Sequence, residues 1–237
     1  MGEEHRRMSA ALEVADLRFA FENDRPVLRG VSFQLAPGEC AGLVGANGSG
    51  KSTLLWCLLG LYRAEGSVRL FGEPLGRGNL HRVGVVFQNP EDQLFMPALI
   101  EDVMLPLINR GLAREEAEQR ARRALAAAGI EEVAGRPASK LSLGERKRAA
   151  IAAALATEPE LLILDEPTAE LDGRSARRLA ELLAGLKVAR LIASHDLAFL
   201  GKLCDRLLVL AGGVIVKDGP AGEILADSVL LEQAGLV

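Results

Sequence analysis

Gly45-Ala46-Asn47-Gly48-Ser49-Gly50-Lys51-Ser52-Thr53 matches, without a gap, the pattern Gly-x-x-x-x-Gly-Lys-Ser/Thr of a loop that cradles phosphate. Glycines at 45, 48 and 50 let the chain turn tightly and bring backbone N–H groups within hydrogen-bond range of phosphate oxygens, which a Cβ would hinder. All nine residues are therefore candidates for nucleotide contact. Lys51 is expected to reach the β- and γ-phosphates as a point charge, and the Ser52 hydroxyl to ligate magnesium. The flanks agree: Cys40-Ala41-Gly42-Leu43-Val44 reads as a buried strand and Thr53 to Leu59 as an apolar helix whose N-terminus faces the anion. A glycine-rich turn with a surface lysine is the competing reading, and it leaves that context unexplained.

Away from the loop, composition limits the options. A chain of 237 residues can bury a sizeable core without disulfides. Cys40, Cys57 and Cys204 are odd in number, widely spaced and set in apolar runs, which favours buried reduced thiols and a reducing compartment. Met1 to Arg7 carries no signal-peptide pattern, and no apolar run approaches the roughly 18 residues of a membrane span. The expectation is a cytoplasmic protein that reaches a membrane only through a partner. With net charge −4 and charges of mixed sign, the basic face that nucleic-acid binding requires is missing.

In chain order, Leu12 to Phe21 alternates as a half-buried strand, Asn23-Asp24-Arg25-Pro26 reads as a turn and Val27 to Leu35 as a second strand. An antiparallel β layer is expected here, with Phe21 at a strand end where it would stack on an adenine ring if it is not simply core. Gly66 to Phe71 and Val83 to Phe87 read as strands, the latter ending at Gln88, which can reach magnesium or an attacking water. From Pro97 to Thr157 the pattern is helical, over Leu99–Ile108, Arg114–Ala128 and Leu143–Leu155. Residues 97–157 are thus expected to form a helical subdomain inserted into an α/β core made of 1–96 and 158–237, and the charges of Arg114 to Arg123 a solvated face.

Leu161-Leu162-Ile163-Leu164-Asp165-Glu166 is the second strong motif, an apolar strand delivering two acids to the end where open α/β sheets bind ligands. Asp165 is expected to hold magnesium, and Glu166 to polarise the water that attacks the γ-phosphate. Arg174 to Leu186 reads as an amphipathic helix. Val188 to Ala193 reads as a strand ending in Ser194-His195-Asp196, which puts His195 beside Gln88 and Glu166 as a γ-phosphate sensor. A terminal hairpin, Arg206–Leu210 and Val214–Lys217, and short helices finish the chain.

From Leu12 to Leu225 this constellation resembles the ATP-binding cassette (ABC) family. Beyond the loop and the paired acids, Leu141-Ser142-Leu143-Gly144-Glu145 resembles the Leu-Ser-Gly-Gly-Gln signature, and Ala169-Glu170-Leu171-Asp172 the family's D-loop. The resemblance implies a P-loop NTPase fold with a mainly parallel sheet, ATP and Mg2+, and two cassettes dimerising head to tail. In that arrangement each ATP lies between the phosphate loop of one subunit and Ser142, Gly144 and Asp172 of the other. Leu143 and Glu145 depart from the signature, and the added negative charge would repel phosphate unless Arg146, Lys147 and Arg148 offset it or Glu145 faces away.

Val86-Phe87-Gln88-Asn89-Pro90-Glu91-Asp92-Gln93-Leu94-Phe95 is similar, more narrowly, to the ATPases of energy-coupling factor importers of cobalt, nickel, biotin and other vitamins, whereas Met104-Leu105-Pro106-Leu107 lacks their Phe-Gly-Pro. That resemblance implies a homodimer or a heterodimer with a related ATPase, a transmembrane coupling subunit, a substrate-binding membrane subunit, and a place on the cytoplasmic face of the membrane. Leu94, Phe95 and Met96 would be an exposed apolar docking groove, or else helical core. An exporter ATPase shares the chemistry but not this run. A soluble ATPase acting on nucleic acid or ribosomes would carry a coiled-coil insertion or two cassettes, and a scaffold without turnover would not keep every catalytic side chain.

Overall fold

The computed structural model describes residues 9–21 and 25–236. Asn23 and Asp24 of the expected turn, like the N-terminal Met1 to Arg7, lie outside the described residues. The strands are β1 (Leu12–Phe21), β2 (Arg25–Leu35), β3 (Cys40–Val44), β4 (Glu65–Leu70), β5 (Glu73–Pro74), β6 (Val83–Val86), β7 (Leu161–Asp165), β8 (Ala189–Ala193), β9 (Arg206–Ala211) and β10 (Val214–Pro220). Helices are α1 (Lys51–Leu58), α2 (Arg77–Leu80), α3 (Leu99–Asn109), α4 (Arg114–Ala127), α5 (Leu143–Ala156), α6 (Gly173–Ala184), α7 (Leu197–Leu203), α8 (Ala221–Ala226) and α9 (Ser228–Gln233). Two sheets result: an antiparallel layer in the order β2-β1-β4-β5, and a six-stranded sheet in the order β10-β9-β3-β8-β7-β6 that is parallel except for β10. This is the mixed α/β, mainly parallel P-loop architecture that the motifs imply.

Strand periodicity explains the layering. Successive side chains of a strand point to opposite faces. Leu161 and Ile163 of β7 accordingly join a core shared with the antiparallel layer and α1, while Leu162 and Leu164 join one shared with α5, α6 and α7. Strand β9 divides in the same way, Leu208 and Leu210 against Leu207 and Val209. Buried on both faces, such strands are continuous apolar runs, and each leucine contributes about 2 kcal/mol by leaving water.

A third apolar cluster lies within α3, α4 and α5, with Val103, Leu107, Ala121, Leu125 and Ala149 at its centre. Pro106 sits inside α3. Helix α5 is shared, for Ala150 and Ile151 face the second core while Ala149 and Ala152 face the third.

One expectation is corrected here. Leu94 is 5% exposed and belongs to the helical cluster, so of the anticipated docking triplet Phe95, at 65%, is the exposed member and Met96 is intermediate. Cys40 and Cys204, far apart in the chain, are neighbours in space with their sulfurs 3.2 Å apart. All three cysteines are buried and free. The Cys204 thiol donating to Cys40 holds the Cys40 thiol down and raises its own, and burial pushes Cys57 up to about 11. Sequence spacing gave no sign of this pair, because β3 and the end of α7 meet only in the folded sheet.

Candidate functional site

The loop from Gly45 to Gly50 leaves the C-terminal end of β3 and enters α1 at Lys51, one residue pair earlier than periodicity suggests, because the motif's own Lys51 and Ser52 are the first helical turn. Glycine is required at two of its positions for different reasons. At Gly45 a Cβ would come 2.4 Å from Ser49 Oγ and 2.5 Å from the Leu210 carbonyl oxygen, so a side chain there would wedge the loop off β9. Gly50, the N-cap of α1, has φ 104°, a backbone conformation that L side chains rarely adopt. No side chain caps α1 and its first turn holds no acid, which suits an anion at that end.

A pocket of about 720 Å³ opens over this loop, lined by Phe21, Asn47, Gly48, Gly50, Lys51, Ser52, Thr53, Gln88, Glu166 and His195. The structure therefore brings together the phosphate loop, the strand-end acid, the glutamine and the histidine. Phe21, at the mouth, is 46% exposed and meets Phe19 and Tyr62 edge-on, with centroids 5.0 and 5.8 Å away, which leaves it open for ring contact. Gly45, Ala46 and Ser49 shape the loop without lining the pocket.

Lys51, buried, donates from Nζ to the carbonyl oxygens of Gly45 at 2.7 Å and Ala46 at 3.4 Å, and lies 3.6 Å from Glu166 Oε1. The other oxygen of Glu166, Oε2, accepts from Ser194 Oγ at 3.1 Å and faces His195 Nδ1 at 2.9 Å. An ionised carboxylate only accepts, so His195 carries its proton on Nδ1 in that contact. Glu166 itself has φ 44°, a left-handed conformation uncommon for a side chain with a Cβ, at the sharp turn leaving β7. Two residues of this group were not anticipated. The buried Ser194 hydroxyl is the quoted Ser-His-Asp run acting one position early, and Lys147 was read only as part of a cationic trio. Its Nζ donates to the carbonyl oxygens of Gln88, at 2.9 Å, and Glu166, at 3.0 Å.

Asp165 lines an adjoining pocket that shares Ser52 and Gln88 with the first. Burial raises the Asp165 pKa against a hydrogen bond from Ser52, and Oδ1 is buried with no partner. A hydroxyl, a carboxylate and an amide, all oxygen donors, suit a hard cation that keeps waters and takes phosphate oxygens for its remaining positions. Among the described residues no three His, Cys, Asp or Glu side chains cluster to hold a metal on their own.

Ser142, Gly144 and Asp172 lie outside the residues lining the nucleotide pocket. Ser142 N-caps α5 and Asp172 N-caps α6, accepting from the N–H groups of Arg174 and Ser175 at 2.9 and 2.8 Å. A Cβ at Gly144 would come 2.9 Å from Ser175 Oγ, so glycine lets the two helix tips touch. Glu145 closes a capping box on Ser142: its Oε2 accepts from both Ser142 Oγ, at 2.6 Å, and Ser142 N, at 2.7 Å, which lowers the Glu145 pKa.

The run after Gln88 is fastened residue by residue. Asn89 caps the turn Pro90–Asp92, and Glu91 pairs with Arg146 at 2.7 Å. The Gln93 amide mimics another strand on β6, accepting from Phe87 N at 2.8 Å and donating to the Val85 carbonyl at 2.9 Å, while Asp102 Oδ1 accepts from Phe95 N and Met96 N. Its polar residues hold a rigid loop whose exposed tip is Phe95.

Comparison with known proteins follows the same lines. The model of the ABC transporter family matches residues 28–169. Relatives 45% identical are described no more finely than as ABC transporter ATP-binding proteins. The energy-coupling factor transporter ATP-binding protein EcfA of Methanocaldococcus jannaschii is 38% identical over 95% of this chain and 84% of its own. For the nickel import ATP-binding protein NikO of Rhodobacter capsulatus the identity is 39%, over 97% of each chain. The solved structure of CbiO1 from Clostridium perfringens, part of the ABC transporter complex CbiONQ, superposes with a TM-score of 0.84 at 31% identity, covering 96% of this chain and 95% of that one.

Proposed function

The chain belongs to the ABC transporter ATPases, a family that couples ATP hydrolysis to transport, and from that premise we propose that it energises an importer of the energy-coupling factor type. ATP closes two such subunits head to tail, the closure moves a transmembrane coupling subunit, and hydrolysis reopens the pair. The cargo class is a transition metal ion such as cobalt or nickel, or a vitamin such as biotin, held by a substrate-binding membrane subunit. The second ATPase is an identical or a related chain, and in this reading the chain sits on the cytoplasmic face, held there by its membrane partner; no helix among the described residues is long and apolar enough to cross a membrane.

The observation that carries the ATPase part of this reading is the convergence of Lys51, Gln88, Glu166 and His195 on one pocket above an uncapped helix end; the importer part is supported by the likeness to EcfA, NikO and CbiO1. In the reading, Lys51 and the loop amides bind the β- and γ-phosphates, Glu166 orients the attacking water, and His195 presents Nε2 to the γ-phosphate. Magnesium, when bound, supplies charge neutralisation to the phosphates, and Ser52, Gln88 and Asp165 would hold it. Residues 97–157 act as a lever on the core 1–96 and 158–237, a reading supported by the apolar cluster that α3, α4 and α5 build around Val103, Leu107 and Leu125. The test is magnesium-dependent ATP hydrolysis by the purified chain, together with uptake of labelled metal or vitamin by cells with and without it; absent hydrolysis, or uptake unaffected by its deletion, overturns the proposal.

Two finer expectations follow. Phe95→Asp should leave basal turnover unchanged while weakening association with the membrane partner at least tenfold, as loss of an apolar anchor worth about 2 kcal/mol requires; co-purification from detergent checks it. Glu145→Gln should tighten ATP-driven dimerisation roughly fivefold, because one negative charge near the incoming phosphate is worth about 1 kcal/mol at partial exposure. Analytical ultracentrifugation across an ATP series would measure that shift.

A further inference from the structure

Lys147 is 2% exposed, and its ammonium donates to the carbonyl oxygens of Gln88 at 2.9 Å and Glu166 at 3.0 Å, with the carboxylates of Glu170, Glu166 and Asp165 near enough to favour its charge. Lysine is almost never fully buried without partners, and removing such a donor leaves the carbonyls it served without it, at a cost of about 1 to 3 kcal/mol. Helix α5 does not depend on it for attachment: Arg146 pairs with Glu91, Arg148 donates to the carbonyls of Ala128 and Gly129, and Ala149, Ala150 and Ile151 are buried in two cores. What Lys147 touches is the strained turn itself. The Glu166 carbonyl, accepting also from Ala169 N at 3.1 Å, belongs to the residue with φ 44° whose carboxylate is gripped by Lys51, Ser194 and His195. One lysine therefore holds Glu166 by its carboxylate and a second by its backbone, and that second one rides on the helix capped by Ser142.

We propose that Lys147 is a positioning residue that ties the tip of α5 to the backbone of Gln88 and Glu166, so that displacement of this helix re-aims the Glu166 carboxylate and the Gln88 amide together. The inference deepens the ATPase reading and rests on Glu166 orienting the attacking water. A rigid link of this kind acts on geometry at the reacting centre and leaves phosphate binding alone, so its loss falls on kcat and spares KM.

The experiment compares the full-length chain with Lys147→Met, Lys147→Arg, Glu166→Gln and the double variant Lys147→Met/Glu166→Gln, measuring melting temperature, KM for ATP and kcat. Lys147→Met is expected to melt a few degrees below the wild type, because two carbonyls lose their donor, to keep KM within twofold and to lose at least tenfold in kcat. Lys147→Arg, which retains donors and has the adjoining pocket of about 570 Å³ to occupy, should recover most of that loss. In the Glu166→Gln background the same methionine should cost less than a further twofold, because the residue acts through Glu166. Wild-type kcat in Lys147→Met overturns the inference, as does a joint fall of melting temperature and kcat with a raised KM, or full additivity in the double variant. Equal turnover by wild type and Glu166→Gln would remove Glu166 from catalysis altogether, a distinct failure that takes the ATPase assignment of that residue first.

Discussion

Glu166→Gln is expected to lower kcat by about 10² to 10⁴, the usual contribution of a positioned general base, while leaving ATP bound. The argument is steric and electrostatic at once. Glutamine has the shape of glutamate, and its carbonyl oxygen can still accept from Ser194 Oγ and His195, the contacts that now fix Oε2 at 3.1 and 2.9 Å. The turn should survive, and only the negative charge goes. That charge is what would draw a proton from water beside the γ-phosphate. It is also what holds Lys51 at 3.6 Å, and freeing Lys51 favours phosphate rather than opposing it. Nucleotide affinity should therefore hold or rise as turnover falls, and the closed pair should accumulate. In size-exclusion chromatography with saturating ATP and magnesium the variant is expected to elute as a dimer. Turnover within threefold of wild type, or a persistent monomer, would refute the role given to Glu166.

The parts of this site legible in the chain are those built from local pattern. Asp165 and Glu166 stand where an apolar run stops, and His195 and Gln88 stand at the ends of two others; once strands β6, β7 and β8 are neighbours in a parallel sheet, their C-terminal ends must share an edge. Lys51 and the glycines follow from one contiguous motif. Lys147 was not legible in that way, because nothing about a cation in an Arg-Lys-Arg run tells which of the three turns inward; that depends on how α5 lies across the sheet. The burial of Leu94 escapes local pattern for the same kind of reason. Flanked by Gln93 and Phe95 it gave no periodic signal, and its burial follows from Gln93 clamping onto β6 and Asp102 capping the next two amides, both contacts between segments. The pairing of Cys40 with Cys204 belongs with these, as a product of tertiary placement alone.

Lys51→Ala should have the largest effect on binding. In the structure Nζ is spent on the carbonyl oxygens of Gly45 and Ala46 and on the Glu166 carboxylate, at 2.7, 3.4 and 3.6 Å, so the ammonium is already held at the floor of the pocket with little conformational freedom left to lose. A phosphate arriving there gains a charge-assisted hydrogen bond worth about 1.5 to 3 kcal/mol net, which predicts a rise in Kd for ATP of roughly tenfold to a hundredfold when it is removed. Turnover should suffer further. Charge that develops on the γ-phosphate oxygens loses a buried donor, and loss of one such preorganised donor typically costs about 10² to 10³ in kcat. Lys51→Arg separates charge from shape: it keeps the positive charge, but a planar guanidinium cannot occupy the same narrow place between the loop carbonyls and Glu166. It should restore affinity better than turnover. Titration calorimetry for Kd and a phosphate-release assay for kcat read the two effects apart. A Lys51→Ala protein with unchanged affinity and rate would mean that the pocket above α1 is not where the triphosphate sits, and neither Glu166 nor Lys147 could then act as argued.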